Sequence, residues 1–157
     1  MKKLGAVSGA TGDEFALLEK TALEMGEKTR FSATQAAEGM NFLAMAGFSV
    51  KDSITAIPAV LNLATVGSLD LATAADISSD SLTAFGLQAE DMGRLTDVMA
   101  KTITSSNTTV EMLGNSFKKV APVATSLGVS LEETSASLGV LADAGIKAEL
   151  ADRKAHV

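Results

Sequence analysis

Apolar side chains recur along this chain at intervals of three and four residues, the spacing that places them on one face of an α-helix. The longest uninterrupted run of this kind consists of Val110, Leu113, Phe117, Val120, Ala124 and Leu127. Shorter runs lie at Phe15–Met25, Ala36–Ala44, Val50–Leu61, Ala74–Phe85, Met92–Ile103 and Leu131–Leu141. The pattern predicts an all-α protein with about six to eight helices.

One short motif, written three times, separates these helices. Each copy is a glycine, an apolar residue and a helix-capping position, and the glycines are Gly47, Gly86 and Gly128, at spacings of 39 and 42 residues. Glycine adopts the left-handed backbone conformation after a helix end without a steric penalty. We therefore predict a positive φ angle at all three glycines, each joining two helices.

The residues after each glycine predict where the next helix begins. Ser49 and Ser130 are expected N-caps, and both precede an acidic residue by three positions, Asp52 and Glu133, which is the spacing of a capping box. Acidic side chains also suit the positive end of a helix dipole. Gln88 occupies the equivalent position in the second copy and is a poorer cap.

Two prolines fall inside the apolar runs. Because proline removes one helical hydrogen bond, we expect Pro58 to kink or split its helix near Thr55. For the same reason Pro122 predicts a bend near Lys118 or Lys119.

A helical period near 40 residues is typical of solenoids, but the three copies agree only at their turns, and helix lengths and proline positions differ. We therefore favour an irregular bundle of helical hairpins joined by glycine turns. The expected division is a flexible N-terminus at 1–12, a helical domain at 13–145 and a polar C-terminal tail at 146–157.

Composition supports the all-α class and limits the kinds of partner that the chain is expected to bind. The chain of 157 residues has 26 alanines, 7 methionines and neither tryptophan nor tyrosine, which favours closely packed helices with methionine as core filler. A net charge of −6 argues against a general nucleic-acid binder. The longest uncharged run, Ser53–Leu69, falls short of the roughly 20 apolar residues that a membrane span needs, so it predicts buried helices, and membrane contact is not indicated.

No group of residues indicates a catalytic, cofactor or metal site, and we predict that the chain is not an enzyme. The one histidine, His156, stands in the polar tail without ligand partners at fixed spacing. The acidic pairs Glu90–Asp91 and Glu132–Glu133 diverge by about 100° on a helix and fit helix-start electrostatics. The glycine-rich segment 5–12 lacks the strand and the lysine of a phosphate-binding loop.

We expect self-association into a homo-oligomer, because apolar helix faces of such a chain need to be covered. The strong apolar run suggests one contact face, formed by Val110, Leu113, Phe117 and Val120. A different hypothesis is a stand-alone helical module that binds a partner helix or a membrane surface through a groove rich in alanine and methionine.

Four segments carry a resemblance to a known family. They are 29–49 (TRFSATQAAEGMNFLAMAGFS), Pro58–Ala64, Val98–Thr102 and Val140–Ile146. In this order and spacing they resemble the core region of phage tail tape measure proteins of the TP901 type, over residues 5–147. The sequence leaves that pattern after Lys147.

The resemblance implies a structural virion protein, a prophage-encoded fragment of a tape measure that takes part in tail assembly and length determination. It implies the tail-tube protein and tail assembly chaperones as partners, synthesis in the cytoplasm of the bacterial host and a final place in the virion tail. It implies no catalytic residue and no cofactor.

Overall fold

The computed structural model describes residues 2–146, and within them the chain is helical, with no β-strand. The helices are α1 (Lys2–Ser8), α2 (Gly12–Lys28), α3 (Ala33–Met45), α4 (Val50–Val66), α5 (Leu71–Ala84), α6 (Met92–Ser105), α7 (Val110–Ser126) and α8 (Leu131–Asp143), with a 3-10 turn, Ala89–Asp91, before α6. The predicted all-α class is confirmed. The predicted polar tail, with His156, lies almost wholly outside the described residues, and the domain division stays a prediction.

The helices form two rows. From α2 onward each helix packs against the next one in sequence. Every helix also packs against the helix two positions along, so α1, α3, α5 and α7 form one row and α2, α4, α6 and α8 the other. The predicted hairpins are therefore present, and each of the three glycine turns joins an odd helix to the even helix after it. The spacings of 39 and 42 residues correspond to one hairpin each. Successive hairpins pack against one another, and the predicted bundle of helical hairpins is confirmed.

The N-terminal segment differs from the prediction of a flexible start, because α1 forms there and packs against α3. Leu4 is 2% exposed, and a Cβ added to Gly5 would lie 3.1 Å from the Phe15 ring. A helix of seven residues is not stable by itself, so its formation depends on these tertiary contacts rather than on local pattern. Gly9 (φ 63°) and Thr11 then provide the same glycine and cap arrangement as the later hairpins.

Pro58 was expected to kink or split its helix, and the helix is not split. Both prolines lie inside unbroken helices, Pro58 in α4 and Pro122 in α7. Each proline ring is exposed, so it lies on the outer side of its helix. Water can then hydrate the carbonyl group that the proline leaves without a donor, which reduces the cost of the lost hydrogen bond.

The core is built from alanine, leucine and methionine side chains packed at close range. Met40, Met92 and Met99 are fully buried, as predicted for core filler. Two glycines allow neighbouring helices to approach: a Cβ on Gly39 would lie 2.7 Å from the Ile57 side chain, and one on Gly114 would lie 2.6 Å from that of Ile77. Among the described helices none is by itself long and apolar enough to cross a membrane, and α4 with α5 reaches that measure only as a pair bent by 117°.

Candidate functional site

The three predicted turns have the geometry expected of them. The φ angles are 95° at Gly47, 66° at Gly86 and 74° at Gly128, which confirms the left-handed prediction. At the first turn the backbone N–H of Gly47 donates to the Ala44 carbonyl (3.0 Å), and that of Phe48 donates to the Leu43 carbonyl (3.1 Å). This pair of bonds is a Schellman ending, and the apolar residue after the glycine folds back over the last helical turn.

A further turn of this type joins α4 and α5 after Gly67, but its left-handed residue is not the glycine. The left-handed residue there is Ser68, with φ 53°, and the N–H of Leu69 donates to the Ala64 carbonyl (2.9 Å). The preceding Gly67 has an ordinary negative φ, and its lack of a side chain serves packing instead, since a Cβ would lie 2.7 Å from Val110. Asp70 then caps α5 by accepting from the Thr73 N–H at 2.8 Å.

The predicted caps are present. The Ser49 hydroxyl accepts from the Asp52 N–H at 3.1 Å. At the third turn the box is complete, because Ser130 Oγ accepts from the Glu133 N–H at 3.1 Å and the Ser130 N–H donates to Glu133 Oε2 at 3.0 Å. That backbone donor, followed by the Ser130 hydroxyl, lowers the pKa of the Glu133 carboxyl. The helix start at Gln88 is weaker than those at Ser49 and Ser130, because the chain there forms the 3-10 turn Ala89–Asp91 before α6 begins.

Three polar contacts tie the last hairpin to the one before it. Arg94 of α6 donates to both Glu132 oxygens, at 2.6 and 2.8 Å, and this lowers the pKa of the Glu132 carboxyl. Lys118 of α7 pairs with Asp80 of α5 at 2.7 Å. The Asn107 N–H donates to Asp143 Oδ1 at 2.7 Å. The charged groups of the two ion pairs are roughly half exposed, so these contacts orient the hairpin more than they stabilise it.

The predicted self-association face is corrected by the structure. Val110, Leu113 and Phe117 are at most 1% exposed within the chain, and the Phe117 ring packs edge-on against Phe85 at a centroid distance of 5.0 Å. Only Val120 reaches the surface, at 38% exposure. These four side chains therefore do not form one accessible face. The buried side of α7 continues through Ala121 instead of Val120.

Other large apolar side chains on both helices of the last hairpin and just after it are exposed. We call this set the C-terminal apolar surface, and its members are Val120, Val123, Leu127, Val129, Val140, Leu141 and Ile146. No local signal marked them, because in sequence they resemble core positions. The first hairpin also exposes large apolar side chains, Val7, Leu17 and Leu23. The side chains around Leu23 on α2 are mostly charged: Glu19, Lys20, Glu24, Glu27 and Lys28.

The described part of the chain offers no recognisable chemical centre. No group of three or more histidine, cysteine, aspartate or glutamate side chains in it could hold a metal ion. A groove of about 360 Å³ between α6 and α8 is open to solvent and has small or uncharged residues such as Thr102, Ser135 and Ala136 in its lining. Its charged members are Asp97, Lys101 and Glu132, and Glu132 is already paired with Arg94.

Helical hairpins and capped turns define an all-α bundle whose prominent features serve packing. The profile of the family described as phage-related minor tail protein matches residues 19–154, and the chain belongs to this family.

Two relatives agree with that assignment. The chain is 45% identical over 147 residues, 94% of its length, to the tape measure protein of Pneumococcus phage Dp-1. It is 32% identical over 151 residues, 95% of its length, to a probable tape measure protein of Escherichia phage P2. The chain spans 13% and 18% of these two relatives. No solved structure matches it. The resemblance drawn from the sequence is thereby confirmed.

Proposed function

We propose that this chain is a segment of a tape measure protein and acts, without catalysis, as a structural component of a phage tail during assembly and length determination. The single observation that carries the proposal is the 45% identity to a tape measure protein across nearly the whole chain. The fold agrees with a structural role, since its main features are glycine turns, helix caps and packed helix faces.

The folded state limits what this segment contributes to length. A continuous helix of 157 residues would extend about 235 Å, at about 1.5 Å per residue. The longest helix described here has 17 residues, or about 25 Å. We infer that the segment acts as a compact module within a longer protein, and that the ruler itself lies in other parts of the relatives' sequences.

The partners follow from the same assignment. We propose the tail-tube protein and tail assembly chaperones as partners, with synthesis in the host cytoplasm and a final location in the virion tail. We also infer self-association of the chain. Support for it comes from the C-terminal apolar surface, where Leu127 and Val140 are 75% and 69% exposed, because such patches mark interaction sites.

The test uses a phage or prophage that encodes the chain. Phe117→Asp places a charge in the core and unfolds the module without changing the number of residues, whereas Phe117→Leu keeps the site apolar. We expect the aspartate variant to lose assembled tails or infectivity, measured by electron microscopy and plaque counts, and the leucine variant to keep both. Normal tails and titres with the aspartate variant would contradict the proposal.

An in-frame deletion of the segment separates the compact module from an extended ruler. A ruler would give otherwise normal tails shortened by up to about 235 Å. A compact module predicts failed assembly, or tails whose length is unchanged.

A further inference from the structure

The last described turn, at Gly145, has the same backbone geometry as the turn that joins α4 to α5. At Gly145 φ is 82°, and the N–H of Ile146 donates to the Leu141 carbonyl at 2.8 Å. The turn between α4 and α5 has φ 53° at Ser68 and the equivalent backbone bond at 2.9 Å. Both turns are Schellman endings.

Every other left-handed residue in the described part of the chain is followed by a helical segment at one fixed distance. In all five cases the segment begins three residues later. The pairs are Gly9 and Gly12, Gly47 and Val50, Ser68 and Leu71, Gly86 and Ala89, and Gly128 and Leu131. The same distance from Gly145 places a helix start at Ala148.

The sequence of residues 148–157 (AELADRKAHV) suits such a helix. It contains neither glycine nor proline, and Glu149 lies four residues before Arg153, the order in which an ion pair stabilises a helix. Lys147 occupies the cap position and lacks a short acceptor side chain, but Gln88 lacks one too and a helical segment still follows it. A helix of this length is not stable alone, so it needs a surface to pack against.

The C-terminal part of α8 offers that surface. Val140 and Leu141 lie five and four residues before the left-handed residue of their turn, as Leu63 and Ala64 do in α4. Leu63 and Ala64 are fully buried, in a helix against which the following helix α5 packs. Val140 is 69% exposed and Leu141 is 41% exposed. A helix that follows α8 as α5 follows α4 would pack over these two side chains.

We propose that residues 148–157 form a ninth helix that packs against α8 over Val140 and Leu141. The still shorter helix α1, of seven residues, is a precedent, because it forms by packing against α3. The Gly145 turn leads the chain toward this contact, as the equivalent turn leads α5 toward α4. Leu127 lies at the opposite end of the last hairpin and outside this contact, so the self-association inferred above and the tape measure role are tested separately.

Hydrogen exchange of the 157-residue chain, followed by NMR, tests the helix itself. The amides of residues 152–155 should exchange about 10-fold or more slower than in an unfolded chain, since each has a carbonyl four residues earlier to bond. Ala151→Pro removes the first N–H that the helix would bond and should abolish this protection. Ala148→Pro is the matched control and should preserve it, because proline at the first helical position removes no helical bond.

Thermal unfolding tests the contact. Val140→Ser should lower the midpoint temperature of the otherwise wild-type chain by about 2–4 °C, because it removes apolar area that the ninth helix covers. With Ala151→Pro present the same change should have no effect, because Val140 then stays exposed. Leu23→Ser, at an exposed leucine of α2, is the matched control and should have equal effects with and without Ala151→Pro.

Three results would overturn the proposal. Unprotected amides at residues 152–155 would show that no helix forms there. Equal loss of protection in Ala148→Pro and Ala151→Pro would place the helix start elsewhere. An effect of Val140→Ser that persists with Ala151→Pro would assign the cover of Val140 to another partner, and an increase of that effect with protein concentration would identify a second copy of the chain. The tail phenotypes of Phe117→Asp bear only on the proposed function.

Discussion

Replacing Ser68 by glycine should make the chain more stable, although serine is the native residue. Ser68 is exposed and holds φ at 53°, a conformation in which a side chain's Cβ crowds the following carbonyl at a cost of about 1–2 kcal/mol. Glycine removes that cost but loses about 0.5–1 kcal/mol through the greater freedom of the unfolded chain. The expected net gain is about 0.5–1 kcal/mol.

The matched change is Gly86→Ser, at a turn with φ 66° where an added Cβ would meet no atom within 4 Å. Its cost is therefore conformational only, and it should lower stability by about 0.5–1 kcal/mol. The double variant should return to the wild-type value, because the two turns lie at opposite ends of α5 and share no contact.

The assay is thermal and urea-induced unfolding followed by circular dichroism, at one fixed protein concentration because association would add its own stabilisation. A change of 1 kcal/mol shifts the midpoint temperature by about 2–4 °C in a chain of this size. We expect Ser68→Gly to raise it and Gly86→Ser to lower it. The reasoning is refuted if Ser68→Gly is neutral or destabilising while Gly86→Ser is harmless.

Three further predictions concern the core, a cap and pH. Phe117→Ala should cost about 3–5 kcal/mol and Val120→Ala less than about 1 kcal/mol in urea unfolding, since only the first is fully buried; equal losses would contradict the placement of the two side chains. Ser130→Ala should cost about 1–2 kcal/mol by removing the capping box, and restoration by threonine but not by valine would identify the hydroxyl as the cause. The pKa of Glu133 is lower in the folded chain than in the unfolded chain. The stabilisation by the Glu133 carboxylate is therefore complete above the unfolded pKa of about 4.3 and is lost as pH falls through the lower folded value. Glu133→Gln should make stability less dependent on pH in this acid range, and an unchanged pH dependence would contradict the role of Glu133.

Local features of the fold were readable from sequence because they depend on a few adjacent residues. A positive φ at Gly47 and a cap at Ser49 follow from backbone sterics and short hydrogen bonds, whatever the rest of the chain does. Ser68 shows the limit of that approach. Its turn has the same geometry, but a pattern based on glycine does not identify the left-handed residue. The glycine stands one position earlier, where it packs against Val110.

Features set by long-range packing could not be read in this way. Val120 and Ala121 are both apolar, and either continues the helical pattern after Phe117. Contact of Gly114 with Ile77 fixes the rotation of α7 against α5, and this rotation buries Ala121. Packing of each helix against the one two positions along could likewise not be predicted, because the apolar pattern describes each helix separately.

Within the described residues, the main contacts between helices reach no further than two positions along the chain, and this has a mechanical consequence. A pull on either end of the described segment loads mainly one hairpin at a time, because the extensive contacts join only nearby helices. The segment should therefore unravel in steps of about 40 residues, each leaving the remaining hairpins folded. A single released helix is only about 10–12 Å wide. Such a chain can be drawn through a narrow opening piece by piece and can fold again from the same end.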